Sequence, residues 1–292
     1  VTAVQLPEEL ASPEGRVGVE KDGQVLEIDA GWIVDASGRS ALIARKRGWL
    51  KPVESHPTSA VWARYRNVKD LDGAALSGHE RDDPWARRTV VSRRLATNHF
   101  NGYGYWIWFI PLQGGETSVG VVWDTRLVEP PGKSAEERLN WFLQENPLTR
   151  ELLEGATLVP DDLRQYAQLP YLIDKVAGPG WSLVGDASGF LDPFYSPGLD
   201  NMAYSVSWTL ELLRLRKEAP DAAAFAEQVR RHDEAFRRYL RLLYGTIYQD
   251  KYVVMGDYDT MMIEFLLDTA VYYFLLVMPS YWWSEKRLLA PP

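Results

Sequence analysis

The segment LVGDASGFLDPFYSPGLDN, residues 183–201, runs from an apolar stretch through a glycine and an aspartate to what reads as the start of a helix. The run GWSLV before Asp186 has the composition of a short buried strand, and Gly185 is its breaker. Asp186 then stands at the carboxyl end of that strand, where α/β folds bind nucleotides. A carboxylate only accepts hydrogen bonds, so it suits a pair of sugar or polyol hydroxyls. Farther on, Ser196-Pro197-Gly198 reads as a helix start with serine at the N-cap and proline at the first helical position. The N–H groups of such a first turn point outward and seat an anion or an electron-rich carbonyl. A plain helix cap after a tight turn fits the same spacing.

Working outward, GQVLEIDAGWIVDASGRS (residues 23–40) repeats the pattern. Val25, Ile28 and the run Trp32, Ile33, Val34 read as a strand that stops at Asp35, with Gly38 as breaker. Residues 56–124 read as a β-rich block. Within it, YWIWFIP (residues 105–111) sets Trp106, Trp108 and Ile110 on one face and Ile107 and Phe109 on the other. Both faces are apolar, so the strand is expected to be covered on both sides. Gln113-Gly114-Gly115-Glu116 then reads as a hairpin turn. SAEERLNWFLQENP (residues 134–147) reads as a helix capped by Ser134, with Leu139, Phe142 and Leu143 on its inner face. From Leu199 onward the chain reads as mostly helical, and MMIEFLLDTAVYYFLLVM (residues 261–278) as a buried helix rather than a membrane span, because it carries Glu264 and Asp268.

Composition narrows the function classes. The chain of 292 residues has a formal net charge of -8 and no extended basic patch, which argues against nucleic-acid binding. The basic run at residues 230–241 is interleaved with acids and reads as a solvated helix face. The absence of cysteine excludes disulfides, thiolate zinc sites and a cysteine nucleophile, and accords with a cytoplasmic setting. His56, His79, His99 and His232 have no ligand-like spacing, so no metal site is expected. The first methionine is Met202, from which a further N-terminal piece is expected.

The quoted residues carry a family resemblance. GDASGFLDPFYSPGLD resembles the second flavin signature of the FAD-dependent monooxygenase and halogenase superfamily. That likeness implies that Gly185 and Asp186 hold the ribityl chain of FAD. It also implies that Phe190, Pro193, Ser196, Gly198 and Leu199 belong to the turn and helix start that meet the flavin ring. VDASGRSAL (residues 34–42) resembles the segment lying near FAD in the same group, which implicates Asp35 and Gly38. Two motifs mark the flavin-dependent halogenases there, WxWxIP and FxxPxxSxG. Both are complete here, in Trp106, Trp108, Ile110 and Pro111 and in Phe190, Pro193, Ser196 and Gly198. The resemblance implies that the indoles form a wall beside the flavin, and that Ser196 and Gly198 lie at a halide site. It runs over nearly the whole chain to about residue 210.

The implied fold is α/β (α+β): the C-terminal part of an FAD-binding Rossmann-like fold, an inserted antiparallel β-sheet substrate domain and a helical C-terminal region. Expected boundaries are 1–50 and 171–210 for the FAD-binding part, 51–170 for the β-rich domain and 211–292 for the helical end. The implied function is an FAD-dependent oxidoreductase using reduced FAD, oxygen and halide on an aromatic or flat apolar small molecule, served by a separate flavin reductase. A flavin monooxygenase or reductase without halide use, and a non-catalytic FAD-binding remnant, are the alternatives. Four departures from the family pattern stand out. No GxGxxG occurs, and no lysine matches the motif of the family's catalytic lysine, so the chain alone is expected to be inactive. Tyr195 stands where tryptophan halogenases carry glutamate, which points away from free tryptophan as substrate. Pro197, after the motif serine, has no N–H to offer a halide.

Overall fold

The computed structural model describes residues 1–10, 14–73, 92–218 and 221–278. Part of the expected β-rich block (74–91, with His79) and the chain after Met278 lie outside these residues. The chain forms two compact units. One comprises Val1–Glu54, Pro170–Gln249 and the stretch from Leu266; the other comprises Ser55–Leu169 and Asp250–Phe265.

In the first unit the expected single strand over residues 24–34 is two. Ala3–Gln5, Gly15–Lys21 and Gln24–Ala30 form an antiparallel meander. After Gly31 the chain enters Ile33–Asp35, which pairs in parallel with Trp181–Leu183, Leu183 lying opposite Asp35. Parallel strands require a long crossover, and here the crossover contains the bulk of the other unit. Helix Gly198–Glu218 lies on this small sheet. Its Thr209 hydroxyl donates to Ser182 Oγ (3.0 Å), which also accepts from the Trp32 indole N–H (3.2 Å). Helix Ala222–Leu243 is capped by Asp221, whose side chain accepts from the Ala224 N–H. It is tied down by Asp233, whose carboxylate accepts from the Val176 and Ala177 N–H groups. Its outer face carries ion pairs of Arg230 and Arg231 with Glu227, and of Arg230 with Glu234, the solvated face expected.

The second unit is built on a six-stranded antiparallel sheet. Its order begins with Thr157–Leu158, then Thr58–Arg66, Glu116–Asp124, Tyr105–Pro111 and Asn98–Gly102, and Arg164–Tyr166 also pairs with Thr58–Arg66. The hairpin turns through Gly114 and Gly115, both at positive φ (90° and 81°) that glycine adopts without strain. Val61, Ala63, Ile107, Phe109, Val119 and Val121 face helices Ala135–Glu145 and Pro147–Leu152, which contribute Leu139, Phe142, Leu143 and Leu152 to the core. The first of these helices starts with a complete capping box, Ser134 with Glu137.

The other sheet face carries the tryptophans and is only partly covered: Trp106 is buried, Trp108 half-buried. The buried helix expected at residues 261–278 is also corrected. Helix Tyr258–Tyr272 and the turn after it leave Ile263, Leu266, Leu267 and Phe274 between 56% and 70% exposed. Its residues are apolar on every side, and a single packed side cannot cover them all. Asp268 is buried, while Glu264 pairs with the buried ammonium of Lys251 (2.9 Å). Among the described residues no helix is long and apolar enough to cross a membrane.

Candidate functional site

The strand Trp181–Leu183 ends in a 3₁₀ turn over Gly185–Ser188. Gly185 is at φ 57°, its N–H donates to Ser205 Oγ (2.9 Å), and its carbonyl accepts from Ser188 Oγ (2.7 Å). The turn puts Asp186 at the carboxyl end of the parallel pair. Its backbone carbonyl accepts from the Tyr171 hydroxyl at 2.7 Å, whereas neither carboxylate oxygen accepts a hydrogen bond from a described residue. Burial raises the Asp186 carboxyl above the ordinary range, and the Arg39 charge works in the opposite direction. The arrangement is a half-buried carboxylate held in place through its backbone, with its acceptors unspent.

Tyr171 and Arg39 shape that loop, and no local pattern announces either. Tyr171 and Phe190 exchange two backbone hydrogen bonds (2.8 and 3.0 Å) and stack their rings at 6.3 Å. With its hydroxyl on Asp186, Tyr171 pins both ends of the loop, and burial pushes its phenol up to about 12. The Arg39 guanidinium lies over both rings, 4.6 Å from the Phe190 centroid and 5.2 Å from Tyr171. Arg39 comes from the loop after Asp35. Both Asp35 oxygens are taken there, by the N–H groups of Ser37 (2.9 Å) and Ile43 (2.8 Å), so this carboxylate shapes the loop. Gly38, at φ 59°, provides its left-handed turn.

After Phe190 the chain turns sharply. Asp192 accepts from the Phe194 N–H, and Pro193 O accepts from the Ser196 N–H (2.9 Å). Tyr195 and Ser196 both sit at positive φ (65° and 56°). Two successive side-chain-bearing residues in that region store strain, which concentrates at functional segments. This turn moves the expected cap by one residue. The Asn201 N–H bonds to Pro197 O, so Pro197 caps the helix and Gly198 is its first residue; left-handed Ser196 lies outside it. The N–H groups of Gly198, Leu199 and Asp200 open the helix with no acceptor among the described residues. Ser196 and Leu199 are exposed.

The tryptophan strand belongs to the other unit. The Trp106 indole N–H donates to the Tyr252 hydroxyl (2.8 Å), and that of Trp108 to Ser118 Oγ (3.1 Å). The two rings lie 5.5 Å apart. Tyr252 O accepts from the Gly104 N–H, and its ring stands edge-on to buried His56. Ile110 and Pro111 close the strand before the hairpin.

The tryptophan halogenase family model matches residues 12–253. The flavin-dependent halogenase chlA of Dictyostelium discoideum is 25% identical over 261 residues, covering 86% of this chain and 40% of that protein. The tryptophan 2-halogenase of Chondromyces crocatus is 32% identical over 175 residues, covering 58% and 29%. Among solved structures, a mutant of halogenase PltM in complex with FAD superposes with a TM-score of 0.77 at 17% identity, covering 99% of this chain and 57% of that one. The flavin-dependent halogenase CmlS does so at 0.64 and 22%, covering 94% and 47%. The chain thus spans well under half the length of the curated relatives, and the superpositions establish its fold as that of these FAD-binding halogenases. The chain belongs to the tryptophan halogenase family.

Proposed function

We propose that this chain supplies the ribityl side of an FAD site and a tryptophan wall to a halogenase-like oxidoreductase. The enzyme would use reduced FAD, oxygen and halide on an aromatic or flat apolar small molecule. The observation that carries the reading is the Asp186 carboxylate, half-buried at the end of a parallel strand and without a hydrogen-bond donor among the described residues. An acceptor so placed fits the adjacent hydroxyls of a ribityl chain. FAD, when bound, supplies the redox chemistry with oxygen.

The chain's own residues would bind and orient. Asp186 accepts from the ribityl hydroxyls, and Gly185 and Phe190 fix the loop that presents it. Asp35 and Gly38 build the neighbouring loop, and Pro193, Ser196, Gly198 and Leu199 form the turn and open helix start. The N–H groups there suit a flavin carbonyl or a halide, with Ser196 and Gly198 nearest the sequence position of the family's halide site. Trp106, Trp108, Ile110 and Pro111 would exclude water from the reacting face. A separate flavin reductase would supply the reduced cofactor, in a cytoplasmic setting.

A second reading, oxygenation without halide, is favoured by Pro197, which contributes no N–H ahead of the helix. The full-length polypeptide, given FAD, a flavin reductase, oxygen, bromide and a phenol probe, separates the two. Bromide-dependent brominated phenol is the expected product, and Pro197→Thr, which adds a donor, should raise its yield. Hydroxylated phenol formed equally with and without bromide would establish the second reading instead.

A further inference from the structure

On the tryptophan face of the sheet, four rings are in contact from a buried end to an exposed one. Centroids lie 5.5 Å apart for Trp106 and Trp108, 6.4 Å for Trp108 and Trp62, and 5.6 Å for Trp62 and Tyr166. Trp106 is buried, Trp108 and Trp62 are half-buried, and Tyr166 is 47% exposed. Trp108 and Trp62 sit on strands that are not neighbours. Strand Glu116–Asp124 runs between them, and Gly120 is the register partner of both. A Cβ on Gly120 would lie 2.3 Å from Trp108 and 2.4 Å from Trp62, so the missing side chain is what lets the indoles meet. Glycine weakens a strand interior, and such a position marks a close approach.

We propose that Trp106, Trp108, Trp62 and Tyr166 form a path for one-electron oxidation, carrying an electron hole from the buried indole to the exposed phenol. Indole and phenol are the readily oxidised side chains of a protein without cysteine. The oxidant is a one-electron acceptor of the oxygen-radical class, which takes an electron from Trp106 and is reduced by one. Trp106 is restored by an electron from Trp108, Trp108 by one from Trp62, and Trp62 by one from Tyr166. Tyr166 gives its phenolic proton to water. The resulting tyrosyl radical takes a hydrogen atom from a soluble thiol, leaving a thiyl radical in solution. Access to water makes Tyr166 the terminus. Tyr252, whose hydroxyl accepts the Trp106 N–H, is buried away from water and is not. The path uses residues of one unit and needs no flavin contact, so it stands apart from the halogenase reading.

The test is pulse radiolysis of the full chain with azide radical, which oxidises tryptophan in preference to tyrosine. A spin trap and peptide mass spectrometry then locate the radical. Tryptophanyl decay should match tyrosyl growth at a rate independent of protein concentration, with adducts at Tyr166 rather than Tyr252. Trp62→Phe keeps a ring in place but is not oxidised under these conditions, so it should cut the Tyr166 adduct several-fold. Trp108→Phe, which does not touch Tyr166, should cut it by less. Unchanged Tyr166 yield and rate in Trp62→Phe, or growth that scales with protein concentration, would overturn the path.

Discussion

Tyr171 acts on the Asp186 loop twice, through its hydroxyl at one end and its backbone at the other. Tyr171→Phe keeps the ring stack with Phe190 and removes one hydrogen bond, a loss of about 0.5–1.5 kcal/mol that urea denaturation would read. Asp186 itself opposes folding. Its carboxyl is raised by burial, so the folded chain binds more protons than the unfolded chain between the ordinary carboxylate value of about 3.9 and the raised one. Stability therefore falls as pH rises through that window, and the penalty is complete above it. Asp186→Asn should raise the melting temperature of the flavin-free chain at neutral pH and leave it nearly unchanged well below the window. Thermal scans at both pH values check this. Asp186 was legible in sequence because a strand, a glycine and an acid are contiguous. Tyr171 was not, because its bond to Asp186 reaches across 15 residues and depends on the backbone bridge between Tyr171 and Phe190, which no local pattern announces.

At the scale of elements, the sheet of the second unit depends on a residue that is absent from every motif. Gly120→Ala would press a methyl group to 2.3 Å from Trp108 and 2.4 Å from Trp62, so the indoles or the strand must shift. Overpacking of this kind costs about 1–3 kcal/mol, read as a lowered denaturation midpoint. The hairpin and the Ser134 helix were readable in advance because turn glycines and capping boxes are local signals. Residue spacing places the helix start one residue before Gly198, because backbone φ at Tyr195 and Ser196 cannot be read from residue type. The break at Gly31 leaves no mark in the pattern because apolar residues continue across it, although Val25 and Ile28 are exposed in an antiparallel meander and Ile33 is buried in a parallel pair.

For the whole molecule, the fold and the family follow from two short motifs. Residues 250–265 join the β-sheet unit through contacts such as Trp106 with Tyr252, and a helical pattern carries no record of its tertiary partner. FAD binding hinges on the carboxylate at the end of the parallel strand, and calorimetric titration of FAD into full-length wild type and Asp186→Asn measures what that carboxylate contributes. Loss of a charged acceptor from the cofactor hydroxyls should weaken binding by about 1.5–3 kcal/mol, roughly ten- to a hundred-fold in Kd. Equal affinities would contradict the assignment of Asp186 to the ribityl chain, and with it the placement of the cofactor in this fold.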